Sequence, residues 1–217
     1  DMGVNMAGNC IVDDAVCCEA SRKEIVRRYY KCLCQQKITG TAKESERYKL
    51  ELLMNQAGLV LGSRPVEQAA HAVSEKTGGA PAAAIELPDG TVVTGKTGEL
   101  LGAASALLMN ALKAVTGIDE NQRVIDESAI EPICRLKTEH LSSMNRRLHS
   151  DETLIALSLT SAQSPTAARV IGGLEQLRGC DAFFSVIISS TDEELYRKLG
   201  INVCCEPKYE RLSLYHK

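Results

Sequence analysis

Apolar residues recur at helical spacing through the first third of the chain. In the segment SRKEIVRRYYKCLCQQ, four of them share one face of a predicted helix that Ser21 would cap: Ile25, Tyr29, Cys32 and Leu33. A second helix is expected over 43–57 and a third over 65–76. The sequence Thr-Gly-Gly at 77–79 then breaks the pattern, so residues 1–79 are predicted to form a helical subdomain.

From residue 80 the pattern changes to short apolar and β-branched runs. Turn residues at 88–90 (Pro-Asp-Gly) separate two such runs, which predicts a β-hairpin from about Ala83 to Gly95. The segment ELLGAASALLMNALKAV is apolar nearly all round and is followed by Gly117, which predicts a buried helix. Further helices are expected over 127–141, 151–161 and 165–179.

The last part of the chain has the pattern of a strand, a helix and a strand. AFFSVIIS is the most strand-like run, TDEELYRKLG predicts a short helix capped by Thr191 or Asp192, and INVCCEP predicts a final strand. Such a unit usually pairs its strands in parallel through a right-handed crossover. Residues 80–217 are therefore predicted to form a layered α/β/α subdomain with a mixed sheet, which places the chain in the α/β class.

This order of elements resembles the topology of cytidine deaminases. Zinc-dependent deamination needs H-x-E or C-x-E at a helix start, followed by P-C-x-x-C. At the matching place the sequence has LGAAS (101–105), and it contains no P-C-x-x-C. The nine cysteines include no C-x-x-C pair either, so we expect no metal and no cofactor. The cysteines are interpreted as reduced thiols of a cytoplasmic protein.

Residues 90–97, GTVVTGKT, match the phosphate-loop pattern G-x-x-x-x-G-K-[ST]. In a working loop, the residues between the glycines wrap their N–H groups around phosphate. Here Gly90 belongs to the predicted turn, and the next four residues are strand residues whose N–H groups would pair in a sheet, so a phosphate loop is not expected. A weaker anion site at Lys96 and Thr97, before the buried helix, stays open. The alternative is that Lys96 is solvated and Gly98 makes a turn.

Composition narrows the classes of function. With 44% hydrophobic residues, the 217-residue chain can bury a sizeable core, which is aliphatic because there are two Phe and no Trp. A net charge of −3 gives no reason to expect nucleic acid as a partner. The sequence has no apolar run of membrane-spanning length and no signal-peptide pattern. Its start at Asp1 indicates a processed chain or a piece of a longer protein.

Seven stretches point to a known family: MGVNMAGNCIVDD, SRKEIVRRYY, ELLMNQAG, AAIELPDGTVVTGKT, LLGAASALLMNALK, RLHSDETLIALS and LRGC. Together they resemble the C-terminal half of an uncharacterised bacterial family of unknown function, whose members have about five hundred residues. The resemblance covers essentially the whole chain. It implies a helical subdomain followed by a layered α/β subdomain, and an absent N-terminal half with a phosphate-loop-like segment. It implies no reaction.

The densest group of polar side chains lies at 145–153, between two predicted helices. Asn145, Arg147, His149 and Asp151 combine an amide, a cation, a proton carrier and a carboxylate, and loops of this kind often bind ligands. The alternative is a polar loop in which Asp151 and Glu152 stabilise a helix start.

Four further residues complete the set of candidate ligand-binding residues. Asn5 lies in GVNMAGN at the edge of the chain, Ser105 lies in the first turns of the buried helix, and Lys96 and Thr97 lie before it. One hypothesis is that the chain binds an anionic or nucleotide-like small molecule together with the missing N-terminal half. The other is a structural or oligomerisation module without a ligand, motivated by abundant apolar helix surface, and a homo-oligomer is expected. A meeting in space of the turn near residue 96 and the 145–152 loop would favour the first.

Overall fold

The computed structural model describes residues 13–41 and 44–210. The chain divides into two compact units, residues 1–61 and residues 62–217, and each is described by itself. Within the described ranges, no helix combines the length and the apolar character needed to cross a membrane.

The first unit contains helices α1 (Asp14–Thr39) and α2 (Glu44–Gln56), which pack against each other. The hydroxyl of Tyr29 on α1 donates to the carboxylate of Glu51 on α2 at 2.9 Å. Of the four apolar residues predicted to share one face of α1, only Cys32 is buried. The other buried side chains of the two helices are Val26, Tyr30, Cys34, Leu50 and Met54.

Helix α1 begins seven residues before the predicted cap at Ser21. The carboxylate of Asp13 accepts the Val16 N–H at 3.0 Å and so caps the helix start. Ser21 lies inside the helix, where its hydroxyl donates to the Cys17 carbonyl. The helix ends at Gly40, whose φ of 68° is left-handed and suits glycine.

Within residues 62–210, the second unit contains four strands and six α-helices. In chain order they are α3 (Pro65–Lys76), β1 (Ala82–Glu86), β2 (Val92–Lys96), α4 (Ala103–Val115), α5 (Glu127–Arg135), α6 (Ser150–Ser161), α7 (Pro165–Ile171), β3 (Asp181–Phe184), α8 (Ser190–Lys198) and β4 (Asn202–Cys205). A π-helical turn (Leu136–His140) follows α5, and a 3-10 turn (Leu174–Leu177) follows α7.

The four strands form one mixed sheet in the order β2-β1-β3-β4. β1 is antiparallel to both of its neighbours, so that Ala84 lies opposite Thr94 on one side and Phe183 on the other. β3 and β4 are parallel and are joined through α8, as the strand–helix–strand pattern predicted. The α/β class and the mixed sheet are therefore confirmed.

Side chains alternate between the two faces of the sheet. Ala83 and Ile85 of β1 and Phe184 of β3 join the main core, which also includes buried residues of α4, α6 and α7. On the other face, Phe183 lies against His71 of α3, with ring centroids 5.4 Å apart. α3 packs on β1 and belongs to the second unit, whereas the sequence placed it in the helical subdomain of residues 1–79.

The segment that matches the phosphate-loop pattern is a β-hairpin. Gly90 makes the turn with a φ of 83°, and the residues after it pair in register with β1. Gly95 lies where α4 crosses β2, and a Cβ atom at this position would stand 2.3 Å from the Leu107 backbone nitrogen. The second glycine of the pattern is therefore explained by the close approach of helix and strand.

Two helices are shorter than predicted. The helix expected over 127–141 ends as an α-helix at Arg135, and its backbone continues as the π-helical turn. The helix expected over 165–179 ends at Ile171, because two glycines follow it. At the second of these, Gly173, a Cβ atom would stand 2.6 Å from Thr116 Cγ2.

Candidate functional site

The loop before α4 and the loop before α6 lie side by side. The Leu148 N–H donates to the Leu100 carbonyl at 2.8 Å, and the Gly102 N–H donates to the Leu148 carbonyl at 3.4 Å. Leu101 and Leu148 thereby form a short parallel bridge. The buried hydroxyl of Ser105 donates to the same Leu148 carbonyl at 2.8 Å. These bonds hold residues 145–149 against the start of α4.

A cavity of about 190 Å³ opens between these loops and the start of α8. One part of its wall is apolar and is formed by Pro81, Ala103, Ala104, Leu148, Val186, Ile187 and Ile188. The other part carries polar and charged side chains: Thr97, Asn145, Arg147, His149, Ser189, Asp192, Tyr209 and Glu210. A cavity with an apolar wall and a few polar groups is the usual form of a small-molecule site.

Arg147 is the cation of the cavity wall. Its Nε donates to the Gly98 carbonyl at 2.9 Å, which fixes the guanidinium on the loop before α4. Its Nη1 lies 3.3 Å from the Glu210 carboxylate, and both side chains are partly buried. The Arg147 N–H donates to the Asn145 side-chain oxygen at 3.1 Å, which shapes the loop. The guanidinium is held from two sides and still faces the cavity.

Asp192 is the most heavily hydrogen-bonded carboxylate of the site, and its side chain is 10% exposed. Oδ1 accepts the Ser150 N–H at 2.8 Å and the Ser150 hydroxyl at 2.6 Å. Oδ2 accepts the Ser189 hydroxyl at 2.7 Å and lies 3.2 Å from His149 Nδ1. Burial opposes ionisation, but the hydrogen bonds from His149, Ser150 and Ser189 outweigh it and lower the pKa of Asp192 from 3.8 to about 2.

His149 occupies the N-cap position of α6. Because ionised Asp192 can only accept hydrogen bonds, it fixes the proton of the imidazole on Nδ1. The hydrogen bond to Asp192 raises the pKa of His149 above its ordinary 6.5, against the effects of burial and of Lys137. Within the part of the chain that the structure describes, Nε2 has no hydrogen-bond partner, so it is the ring nitrogen left for a ligand.

The ion pair between Lys137 and Glu152 holds the backbone of the loop before α6 in place. Lys137, on the π-helical turn, donates to the Glu152 carboxylate at 2.7 Å and to the Arg147 carbonyl at 2.6 Å. The same Glu152 oxygen accepts the His149 N–H at 2.8 Å. The Lys137 side chain is 8% exposed, so this charge is compensated inside the protein. The pair fixes the backbone on both sides of Leu148.

The structure brings part of the predicted set of residues together. Thr97, Asn145, Arg147 and His149 line the cavity, and Ser105 lies behind it through its bond to the Leu148 carbonyl. Three other predicted residues lie elsewhere. Lys96 is exposed and does not line the cavity, Asp151 accepts the Glu152 N–H at the start of α6, and Asn5 lies outside the described residues.

Four further residues of the cavity wall were not predicted from the sequence as site residues: Ser189, Asp192, Tyr209 and Glu210. Asp192 had been predicted as a possible helix cap, whereas the side chain of Ser189 caps α8 by accepting the Asp192 N–H at 3.1 Å. The sequence did contain one signal for Asp192, namely a carboxylate in the first turn of a helix that follows a buried strand. No local pattern marked Tyr209 or Glu210.

The described residues hold no group of three or more His, Cys, Asp or Glu side chains that could bind a metal ion. The fold and the cavity define an α/β protein with a partly apolar, partly charged cavity at the starts of three helices: α4, α6 and α8.

The chain belongs to the DUF1846 family. Residues 62–215 match the model described as "Domain of unknown function DUF1846, C-terminal", and residues 1–58 match "Domain of unknown function DUF1846, N-terminal". The junction between the two models coincides with the division of the structure at residue 61. The resemblance to a bacterial family of unknown function is thereby confirmed, and the first 58 residues belong to its N-terminal domain.

Similar proteins occur in several bacteria. A "UPF0371 protein" of Corynebacterium glutamicum (strain R) is 49% identical over 217 residues, and one of Streptococcus thermophilus (strain ATCC BAA-491 / LMD-9) is 46% identical over 217 residues. Each match covers the whole chain, but only 43% and 44% of the two relatives. The chain thus spans less than half the length of these proteins.

Proposed function

We propose that the cavity binds an anionic small molecule, nucleotide-like or otherwise phosphorylated, and that it does so as part of a longer cytoplasmic bacterial protein. The observation that carries the proposal is Arg147, a partly buried guanidinium in the wall of a cavity of about 190 Å³. A planar guanidinium with several N–H groups matches the oxygens of a phosphate or a carboxylate.

The start of α4 supports an anion at the same place. Gly102 is the N-cap residue and has no side chain to accept the first N–H groups of the helix. Gly102, Ala103 and Ala104 line the cavity, so the positive end of α4 lies beside Arg147.

The position of Glu210 supports a negative charge on the ligand. Its carboxylate already pairs with Arg147 from within the cavity wall, with 3.3 Å between Oε1 and Nη1. It therefore occupies a position that the anionic group of a ligand would take. The apolar residues Val186, Ile187 and Ile188 lie on the wall that would receive the organic part of the ligand.

The cysteines support the cytoplasmic location. No disulfide joins any two of the eight cysteines that the structure describes, and five of these cysteines are buried: Cys32, Cys34, Cys134, Cys180 and Cys204. Cysteines in this number without disulfides are typical of a reducing compartment.

A thermal-shift titration with inorganic phosphate, nucleotides and sugar phosphates tests the proposal. A ligand at a hundredfold excess over its Kd stabilises the folded chain by about 2.7 kcal/mol, which is visible as a rise in Tm. Arg147→Ala is expected to abolish the shift. Arg147→Lys, which keeps the charge but loses the planar group, is expected to weaken it.

Lys96→Ala is the matched control, because it removes an exposed cation that does not line the cavity. This variant is expected to keep the full shift. Equal shifts in wild type and in Arg147→Ala would refute the assignment of the site, and an absence of any shift would refute anion binding by this chain.

A structural or oligomerisation role is the second candidate. It is favoured by three exposed apolar side chains between α5 and α6: Leu136, Leu141 and Met144, at 50%, 65% and 77% exposure. Light scattering at micromolar concentration tests this role. A dimer that Leu141→Ser and Met144→Ser convert to a monomer would support it, and a strictly monomeric wild type would count against it.

A further inference from the structure

His149 and Asp192 form a dyad whose charges are not equally available to a ligand. Asp192 accepts the backbone N–H of Ser150 at the start of α6 and itself lies in the first turn of α8. Each helix start carries about half a positive charge, so the charge of Asp192 is largely matched by the two helices. When Nε2 of His149 is protonated, its positive charge is therefore available to a ligand in the cavity.

The cavity can thus present two positive groups from one short segment. Arg147 and His149 are separated by a single residue, both line the cavity, and the bridge at Leu148 fixes the backbone between them. Ala103 and Ala104, the first two residues of α4, line the same cavity, and their N–H groups have no acceptor within the helix. The number of donors exceeds what the two oxygens of one carboxylate accept and suits a group with three terminal oxygens.

We propose that the ligand is a phosphate monoester, bound as its dianion, with one positive charge supplied by Arg147 and the other by a proton on Nε2 of His149. This inference rests on the proposed function and adds the class of the ligand and a coupled protonation. Binding takes up one proton whenever His149 is neutral in the free protein. No covalent step is involved.

The direction of the pH dependence follows from the groups that face His149. They are Asp192 on α8, Glu152 on α6, Lys137 on the π-helical turn, and Arg147, Tyr209 and Glu210 around the cavity. Of these side-chain types, only histidine ordinarily titrates near neutral pH. A phosphate monoester has its second pKa near 6 and stays a dianion above pH 7. Between pH 7 and 9, a loss of affinity therefore reports the loss of the His149 proton.

Isothermal titration of the full chain with phenyl phosphate, from pH 7 to pH 9, tests the inference. The Kd of wild type is expected to rise by up to about tenfold per pH unit above the pKa of His149, because one proton must be supplied. Titrations in two buffers of different ionisation enthalpy are expected to show proton uptake. His149→Asn is expected to bind more weakly, with a Kd that does not change over this range.

His140→Asn is the matched control, because it removes an exposed histidine outside the cavity. It is expected to keep the pH dependence of wild type. Benzoate has the same ring and a single negative charge, and it is expected to bind at least about tenfold more weakly than phenyl phosphate at pH 7.

A second measurement keeps the inference testable if His149→Asn does not fold. The pKa of the His149 ring, followed by NMR in wild type, is expected to rise when phenyl phosphate saturates the site. A pKa that ligand leaves unchanged would overturn the proposal.

The remaining outcomes separate the two proposals. Binding of phenyl phosphate that depends on Arg147 but not on pH would overturn the coupled proton and leave the anion site intact. Benzoate binding as tightly as phenyl phosphate would overturn the choice of phosphate and also leave the anion site intact. Failure of both compounds to bind at any pH would overturn this inference and count against the proposed function.

Discussion

Asp192 is the residue on which the geometry of the candidate site depends. Its carboxylate joins the N-cap residue of α6, the residue after it and the N-cap residue of α8. His149 and Ser150 lie at the start of α6 and Ser189 lies at the start of α8, so the carboxylate connects two helix starts that are distant in sequence. Ser150 binds its Oδ1, and Ser189 and His149 bind its Oδ2. Removing the charge would weaken several hydrogen bonds whose donors have little access to water.

Asp192→Asn is expected to destabilise the fold by about 2 to 3 kcal/mol at pH 7, because it breaks buried charge-assisted hydrogen bonds. The folded-state pKa of about 2 lies below 3.8, so the ionic contribution is present above pH 3.8 and is lost as the pH falls through 2. The difference between wild type and variant in urea unfolding should therefore shrink between pH 4 and pH 2.

Glu193→Gln is the control, since Glu193 is an exposed carboxylate next to Asp192 on the same helix. It is expected to change stability by less than about 0.5 kcal/mol. His149 acts in the opposite sense, because its pKa is raised. Its ionic contribution is complete below pH 6.5 and is lost as the pH rises through the raised value. A penalty for Asp192→Asn that persists unchanged at pH 2 would contradict the role given to the charge.

At the scale of elements, the helix α4 packs directly on the hairpin β1–β2. α4 lies so close to β2 that the Leu107 backbone nitrogen faces Gly95 without room for a side chain. Asn110 of α4 donates its amide to the Thr94 carbonyl at 2.9 Å, which adds a polar contact between the same helix and strand. This packing positions the start of α4, and with it one side of the cavity.

Gly95→Ala is expected to cost about 3 kcal/mol or more, because a methyl group would collide with backbone that cannot give way. Gly98→Ala is the matched control in the same segment, since its Cβ would meet nothing closer than the Leu101 carbonyl oxygen at 3.9 Å. It is expected to be nearly neutral in urea unfolding without ligand. Equal stability of the two variants would show that Gly95 is not required by packing.

Local patterns predicted the elements of the second unit better than their ends. The hairpin followed from its turn residues, and the parallel unit followed from two apolar runs around a short amphipathic helix. The local pattern did not identify the buried face of α1, because Tyr29 and Tyr30 are adjacent and periodicity alone does not decide which of them is buried. The predicted start of α1 was wrong because Asp13 accepts a hydrogen bond from the first turn of the helix, about two turns before Ser21.

The candidate site was predictable where its residues are neighbours in sequence. Arg147 and His149 stood out as charged groups between two helices. Asp192 is 42 residues from Ser150, and Glu210 is 63 residues from Arg147, so their contacts depend on the path of the whole chain. The exposure of Lys96 is explained by the alternation of side chains along β2, because Gly95 faces α4 and the next residue therefore points outward.

At the scale of the whole molecule, the end of the described chain returns to the cavity. After β4, residues 206–210 run alongside the 185–187 segment, where the Ile187 N–H donates to the Lys208 carbonyl at 2.8 Å. This path places Glu210 on Arg147. The chain therefore supplies a carboxylate of its own at the proposed anion site.

Glu210→Gln is expected to strengthen phosphate binding by about twofold to fivefold, because an anionic competitor is removed and a partly exposed ion pair is worth up to about 1 kcal/mol. Calorimetric titration of wild type and variant measures the change. Glu139→Gln, which breaks an exposed pair with Arg135 outside the cavity, is the control and should leave the Kd unchanged. Weaker binding by Glu210→Gln would instead place Glu210 among the groups that hold the ligand.

The contact between Ser150 and Asp192 also closes a ring in the chain. The 42-residue separation encloses α6, α7 and β3, and the closing bond is made by a carboxylate with little access to solvent. Because the entropy of closing such a ring is recovered only when the ring opens, its residues are tied into one cooperative opening event. The imidazole and the carboxylate of the site would then be exposed to solvent together, at a rate set by the opening of the ring.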